Sequence, residues 1–290
     1  MLKYELSTAF KSKRVMILFL LFIVLTSYDL YVNYSYNLTE YLRAEVASKP
    51  TGKDLYNPCF ASFISAASIG NLPQILVTWI FPIYPLFLYS DSFALQKQCG
   101  YYNVLLTKAD RKRVLFSRFA TAFLVPFIIV LVVLFLNFGA ANIIFKGGES
   151  FAGLEKELER SAAMNFETFS LLHPYIVYVA CIFVFATVAG LYGVFCTGVT
   201  FIVPKYTIIY PVTFMVWFLI LFMPYSVLSV MQIFAGYSTR EMIISSVYYI
   251  LMVVATTVWA FIYKVRYDKS SRSEERRVGK ECRSRWSPYH

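Results

Sequence analysis

The sequence predicts an all-α polytopic membrane protein, and three observations support that prediction. The 290 residues are 58% hydrophobic and only 15% charged, whereas a soluble domain is nearer half apolar and a quarter charged. Aromatic residues make up 19% of the chain, which is too apolar a composition for a disordered protein. Long apolar stretches recur along the chain, and each is long enough to cross a bilayer as a helix.

Six stretches are predicted to span the membrane, because about 20 mostly apolar residues in a helix cross a bilayer core of about 30 Å. None of them contains Lys, Arg or Glu, and the only acid in any of them is Asp29. We expect Asp29 to be an interfacial acid that reaches water at the outer end of the first span. The six predicted spans are 15–32, 72–89, 119–144, 174–203, 206–223 and 242–263.

The fourth stretch is longer than a bilayer core requires. Thirty residues in a helix would be about 45 Å long, which is too short for two spans and a turn. We therefore predict one tilted helix, and its small residues should allow close packing against a neighbouring helix. These small residues are Ala186, Ala189, Gly190 and Gly193.

The distribution of Lys and Arg predicts the orientation, because cytoplasmic loops are enriched in both residues. The side that holds the N-terminus carries fourteen Lys and Arg residues in residues 1–271, and the other side carries seven. We expect the first side to be cytoplasmic, and an even number of spans then places both termini there.

The N-terminal segment 1–14 predicts an amphipathic helix on the inner leaflet. Leu2, Leu6 and Phe10 recur four residues apart and would face the membrane, while basic residues occupy other positions. The alternative is a plain basic anchor that precedes the first span.

The three predicted outer loops carry weaker signals. Asn33 and Asn37 match the glycosylation pattern but lie so close to the membrane that we expect no modification. The apolar stretch 60–68 is expected partly on the membrane surface, and 150–163 could form a short charged helix. The third loop, 224–241, is apolar enough to be a re-entrant or interfacial segment.

The inner loop 90–118 is too long for a bare turn. One interpretation is a large basic loop with no further role, and the other is a docking surface for a cytoplasmic partner.

Residues 272–290 differ abruptly from the rest of the chain, with Arg, Glu and Ser in place of apolar residues. The string resembles translated vector sequence, so we interpret it as a non-native tail. Residues 1–271 then form a single transmembrane domain. A basic cytoplasmic tail is the alternative.

Catalytic and cofactor motifs are missing from the sequence. It contains no P-loop, no HExxH, no GxSxG, no CxxC pair and no Cys/His cluster. We therefore expect no enzyme activity, no cofactor and no metal in this chain. His173 precedes a proline at a predicted helix start and is expected to be a cap or an interfacial residue.

Residues 1–271 resemble the membrane subunits of type 2 ABC transporters, the exporter-like permeases. The features that carry the resemblance are the N-terminal helix, six spans, both ends inside and the order of residues in the inner loop. That order is an acidic residue, Gly, Leu-Leu, a short turn and Arg. In the family this segment forms a coupling helix that docks on the ATPase. The matching residues and our expected ATPase contacts are Asp91, Lys97, Gly100, Leu105, Leu106, Lys108 and Arg111.

The resemblance implies a permease subunit of an ATP-driven exporter that forms the path for a hydrophobic or amphipathic substrate. It implies a separate ATPase subunit and a second permease subunit, identical or not, as partners, in a prokaryotic cell membrane. Membrane lipids are the other expected partner, and nucleic acid is not expected. The alternatives are a membrane scaffold or sensor without transport activity, and an intramembrane enzyme, for which no catalytic group is evident.

Overall fold

The computed structural model is helical throughout the residues that it describes, apart from short connections and two isolated β-bridges. It describes residues 2–44, 55–93, 96, 110–152, 154, 166–203 and 205–285. Within these ranges the side chains of 40–44, 167, 206 and 267–285 are not described.

The helices are numbered in chain order. They are α1 (Leu2–Phe10), α2 (Lys13–Ala44), α3 (Pro58–Ala61), α4 (Leu72–Trp79), α5 (Ile83–Pro85), α6 (Arg111–Ile144), α7 (Phe166–Leu172), α8 (Pro174–Ile202), α9 (Tyr206–Phe222), α10 (Leu228–Met231) and α11 (Thr239–Arg285). A 3₁₀ turn covers Ala66–Ser68, and a π-helical turn, Leu86–Ser90, follows α5 directly.

Four of these helices are long and apolar enough to cross a membrane, which confirms the prediction of an all-helical membrane protein. The spanning parts are Lys13–Thr39, Arg111–Ile144, Pro174–Ile202 and Thr239–Arg266. The described residues give a fifth crossing if α4 and the Ile83–Ser90 segment count as one span. The fourth predicted span is one continuous helix, α8, as expected.

Two predicted spans differ from straight helices of full length. The second, 72–89, is bent by 63° between α4 and Ile83–Ser90, because Pro82 and Pro85 cannot donate the backbone hydrogen bonds of a continuous helix. The fifth is the shorter α9, whose apolar part, Thr207–Phe222, is about 24 Å long at the usual rise. Pro224 lies two residues beyond its end.

The last predicted span, 242–263, continues past its expected end. The backbone of α11 stays helical to Arg285 and so runs into the segment interpreted from the sequence as a tail. The apolar part that could span a membrane ends at Arg266.

α8 lies at the centre of the bundle. Of its most apolar stretch of 18 residues, 61% are buried inside the protein, whereas the value for α11 is 17%. Its close contact with α6 depends on two glycines, as the sequence predicted. A Cβ atom on Gly193 would overlap the carbonyl oxygen of Ala122, and one on Gly190 would lie 2.9 Å from the carbonyl oxygen of Phe123. On another face of α8, the Tyr249 hydroxyl of α11 donates to the Val188 carbonyl at 2.7 Å.

The amphipathic helix predicted at the N-terminus is present as α1, but its buried side differs from the prediction. Phe10 is 39% exposed, whereas Glu5 and Ala9 are buried. The difference arises because α1 packs against α6 and offers it a carboxylate as well as apolar side chains.

The opposite end of the bundle from α1 is closed by three packed loops, which we call the cap (55–71, 145–152 and 227–235). Asn57 N donates to the Ser150 carbonyl at 2.8 Å, and Ile233 N donates to the Ile64 carbonyl at 3.0 Å. Phe63 and Ile64 are buried within the protein, so the expected surface position of 60–68 is wrong. Phe60 of the same stretch packs against Phe151 and Phe234 of the other two loops. The predicted helix 150–163 lies largely outside the described residues.

Candidate functional site at the base of the inner loop

The structure describes both ends of the loop that the sequence assigns to partner docking. Asp91 is fully buried where the Leu86–Ser90 turn ends, and Arg111 is the first residue of α6. The other five predicted contact residues lie outside the described residues, so their role stays a prediction. They are Lys97, Gly100, Leu105, Leu106 and Lys108.

Asp91 joins the start of the loop to α2. Arg14 Nη1 lies 3.1 Å from each carboxylate oxygen of Asp91, and the Tyr210 hydroxyl of α9 donates to Asp91 Oδ2 at 3.4 Å. The Asp91 side chain is 1% exposed and that of Arg14 is 40% exposed. A buried carboxylate is stable only when it is paired and hydrogen-bonded. The loop is therefore held to α2 and α9 at this point.

Glu5 of α1 forms a second buried acidic centre nearby. Its Oε2 accepts a hydrogen bond from the Tyr89 hydroxyl at 2.8 Å and one from the Ser117 hydroxyl at 3.3 Å. Arg118 Nε lies 3.9 Å from Glu5 Oε1. Glu5 therefore connects α1 to the last turn before the loop and to the first turns of α6 after it.

Two buried cations surround an aromatic ring at the same place. The Arg118 guanidinium lies 5.1 Å and the Lys264 ammonium 5.0 Å from the centre of the Phe93 ring, and Arg118 also donates to Gln96. Both cations are at most 3% exposed. Cation–π contacts are strongest when they are desolvated. We call the assembly of Glu5, Arg14, Tyr89, Asp91, Phe93, Arg118 and Lys264 the basal junction.

Ser90 links the basal junction to the central helix. Its hydroxyl donates to the Gly193 carbonyl of α8 at 3.1 Å, and the Thr197 hydroxyl donates to Ser90 Oγ at 3.1 Å. Gly193 thus takes part both in the close contact with α6 and in this link to the basal junction.

Sequence reasoning found Asp91 but missed most of the basal junction. Glu5, Arg118 and Lys264 were counted only as loop charges, because their partners are distant in the chain. Ser117 lies 112 residues from Glu5, Gln96 lies 22 residues from Arg118, and the Phe93 ring is farther still from Lys264. One signal was available for Arg118, which is followed directly by an apolar run and so belongs to a helix that enters the membrane.

A second polar cluster, at the cap end of the bundle, overturns the expectation for Asp29. Asp29 does not reach water, since it is 0% exposed. Its carboxylate accepts hydrogen bonds from the Ser68 hydroxyl at 2.6 Å, from Asn71 Nδ2 at 3.0 Å and from Asn33 Nδ2 at 3.4 Å. The cap brings these donors over the end of the span and replaces the water that we expected there.

The side chains around Asp29 also bind each other and the backbone of the cap. Asn33 Nδ2 donates to the Ala61 carbonyl at 2.9 Å, and Asn71 Nδ2 donates to Asn33 Oδ1 at 3.0 Å. Asn33 and Asn37 are both 3% exposed, so neither glycosylation pattern is accessible in the folded chain. The start of α4 is therefore attached to α2 at this end.

Asn137 of α6 has a similar role that the sequence did not reveal. Its Oδ1 accepts from Phe63 N at 3.1 Å, and its Nδ2 donates to the Thr26 carbonyl at 3.0 Å. An Asn within a long apolar run was the available signal, because a polar side chain at membrane depth needs partners.

The described residues contain no group of three or more His, Cys, Asp and Glu side chains that could hold a metal ion. His173 occupies the N-cap position of α8 without a side-chain capping bond, and its ring packs against Phe169. The arrangements described above hold helices together and offer no evident nucleophile–base pair.

Comparisons with known proteins add one relative. No family model and no solved structure matches the chain. The uncharacterized protein YybM of Bacillus subtilis (strain 168) is 24% identical over 218 residues, which cover 74% of this chain and 85% of that protein. This similarity brings no activity to the chain, so the functional conclusion depends on the chain's own residues.

Proposed function

We propose that the chain is the permease subunit of an ATP-driven ABC exporter in a cell membrane. Residues 1–271 would form a domain of six spans with both termini in the cytoplasm, paired with a second permease subunit and with a separate ATPase. The substrate would be hydrophobic or amphipathic. ATP hydrolysis would occur on the partner, which is why this chain needs no P-loop.

The observation that supports the proposal best is the attachment of both ends of the inner loop. Asp91, before the loop, pairs with Arg14 of α2, and Arg118, after it, lies beside Glu5 of α1. A partner that displaces the loop would therefore also displace α1, α2 and α6. Buried, mutually bonded polar groups suit this role because they resist independent movement.

The six-span topology takes its support from length and charge together. The four long helices, the bent segment and the shorter apolar α9 would together make six crossings in chain order. α9 is shorter than the hydrocarbon, a mismatch that local thinning of the bilayer can accommodate. The excess of Lys and Arg on the side of α1 favours the cytoplasm for that side.

The charge distribution also supports an apolar cargo. In the spanning segments of the described residues, charged side chains occur near the basal junction, at Asp29 and at the start of α11. Ion-coupled transporters place ionisable groups along their substrate path. A path lined by apolar and aromatic residues suits a lipid-like or amphipathic substrate better than an ion.

Co-purification tests the proposal. The chain ending at Ser271 would be co-expressed with the product of the neighbouring gene, purified in nanodiscs and assayed for bound ATPase and vanadate-sensitive hydrolysis. We expect a stoichiometric complex that is lost in Leu105→Asp and Arg111→Glu. Leu172→Asp is the matched control, because Leu172 is 64% exposed at the opposite end of the bundle.

The controls separate docking from folding. If all three variants elute as folded protein and only Leu172→Asp keeps the ATPase, the docking loop is supported. A folded protein that binds no ATPase, with no P-loop gene nearby, would overturn the proposal and favour a scaffold or sensor.

A further inference from the structure

The bend in the second span has a specific cause in the sequence. In a continuous α-helix the N–H of residue 82 would bond the Thr78 carbonyl, and that of residue 85 would bond the Phe81 carbonyl. Both positions are proline and have no N–H. The helix breaks here, and α4 is inclined by 63° to Ile83–Ser90. We call 72–90 the bent span.

Other groups replace the missing donors at the break. Trp217 of α9 donates its indole N–H to the Thr78 carbonyl at 2.7 Å, within the protein interior. Tyr84 N donates to the Phe81 carbonyl at 3.2 Å. The Tyr84 hydroxyl adds a bond at 3.0 Å to the Leu76 carbonyl, which also keeps its helical bond from Ile80 N. At membrane depth an unbonded carbonyl is costly. The Thr78 carbonyl therefore depends on a different helix for its hydrogen bond.

Trp217 is positioned for this bond by an aromatic cluster. Its ring stacks on Phe81 at 4.6 Å and 20°, and Tyr192 of α8 meets it edge-on at 4.8 Å. The Trp217 side chain is fully buried. Trp79, on the same bent span, meets α9 through Phe218 and Phe222 instead, and it is 45% exposed.

We propose that the bent span is a switchable element of the membrane domain and that Trp217 is its latch. With the hydrogen bond from the indole to the Thr78 carbonyl formed, the bent span is held against α9 at the break. With the bond broken, the bent span separates from α9, and the Thr78 carbonyl becomes a hydrogen-bond acceptor in an otherwise apolar wall. The inference depends on the backbone chemistry of the break and not on the transport function.

Distance measurements between spin labels on the full chain in nanodiscs test the latch. Labels in place of Ile75 and Leu219 report the separation of α4 from α9, because one lies on each helix and both side chains are exposed. We expect a dominant short distance and a minor longer one. Trp217→Phe keeps a ring for stacking but lacks the donor. It should raise the ratio of long to short distances about tenfold, the factor that corresponds to about 1.4 kcal/mol for one hydrogen bond.

Trp79→Phe is the matched control, since it removes an indole from the same interface without touching the Thr78 bond. The distances between its two spin labels should equal those measured in the parent protein. A third variant, Trp217→Phe with Pro82→Ala, gives the Thr78 carbonyl an N–H donor within its own helix. Its unfolding temperature should exceed that of Trp217→Phe alone.

Two results would overturn the proposal. One is a single distance, unchanged between the parent and Trp217→Phe, which would show that the break is fixed. The other is an equal shift in Trp217→Phe and Trp79→Phe, which would show that aromatic packing and not the carbonyl bond holds the two helices together. If Trp217→Phe does not fold, the parent alone still tests for the minor distance.

Discussion

At the scale of single residues, the buried charges of this protein occur where elements meet. Glu5 and Asp91 are each bonded by groups from at least two other elements. Removing one partner of such a set leaves the other charge buried without compensation, which costs more than the pair itself contributes. Glu5 and Asp91 should therefore be more sensitive to substitution than acids on the surface.

Glu5→Ala should lower the free energy of unfolding by about 3 kcal/mol, because it leaves Arg118 buried without its carboxylate. Glu149→Ala, an exposed acid at the opposite end, should have no measurable effect. Thermal unfolding in detergent compares the two variants. Equal unfolding temperatures would contradict the structural role assigned to Glu5.

The thiol of Cys59 should be unreactive in the folded protein. Burial raises the pKa of Cys59 to about 12, so at pH 8 the group is the neutral thiol and not the reactive thiolate. A maleimide should label it only after denaturation in SDS, as mass spectrometry would show. Labelling of native protein at a rate like that of an exposed cysteine would contradict this burial.

At the scale of elements, close helix contacts are set by glycine and the bend by proline. Gly193 allows α6 and α8 to touch along their backbones, and Pro82 and Pro85 interrupt the second span. These positions act through geometry and not through charge, so substitutions there should change stability without changing pH dependence.

Gly193→Ala should destabilise the protein strongly, since the added methyl would overlap the Ala122 carbonyl and backbone cannot easily move away. Gly139→Ala in α6 is the control, because no atom lies within 4 Å of the added carbon. It should stabilise its helix by up to about 1 kcal/mol. We expect the unfolding temperature to fall in Gly193→Ala and to rise in Gly139→Ala. A Gly193→Ala variant as stable as the parent would refute the close contact between α6 and α8.

The sequence predicted the elements better than it predicted their partners. Apolar length correctly identified the continuous α8 and the N-terminal helix, because both depend on local composition. It predicted 72–89 as a span but not its bend, although Pro82 and Pro85 were visible, because composition does not say whether a kink is supported by a neighbour such as Trp217. Asp29 was misjudged and Glu5 was not singled out, because burial of a charge depends on residues distant in the chain.

At the scale of the whole molecule, the two ends of the bundle are built differently. The basal junction is held by ion pairs and cation–π contacts, whereas the cap is held by backbone bonds, amides and aromatic rings. The buried cations Arg118 and Lys264 lie at the basal junction, which fits the proposed cytoplasmic position of that end, because Lys and Arg are enriched on the cytoplasmic side.

Cysteine labelling in intact cells tests the proposed orientation. Cys59, Cys181 and Cys196 are buried and should be silent, and Cys99 and Cys282 would be replaced by Ser. A membrane-impermeant maleimide should then label Lys146→Cys but not Lys11→Cys, which lie at opposite ends of the bundle. Labelling of Lys11→Cys but not of Lys146→Cys would show the opposite orientation. Labelling of both variants would contradict the placement of these two residues on opposite sides of the membrane.

The attachments of α2 have a mechanical consequence. Arg14 and Asp29 bind the two ends of the same neighbouring segment, at Asp91 and Asn71. Along α2 the fifteen residues between these attachments cover about 22 Å, whereas the twenty residues from Asn71 to Asp91 would cover about 30 Å as a straight helix. The segment 71–91 is therefore bent over a distance shorter than its own length. If a pull moves Asp91 along α2 and away from Asn71, the distance between the two attachments increases and the segment must straighten.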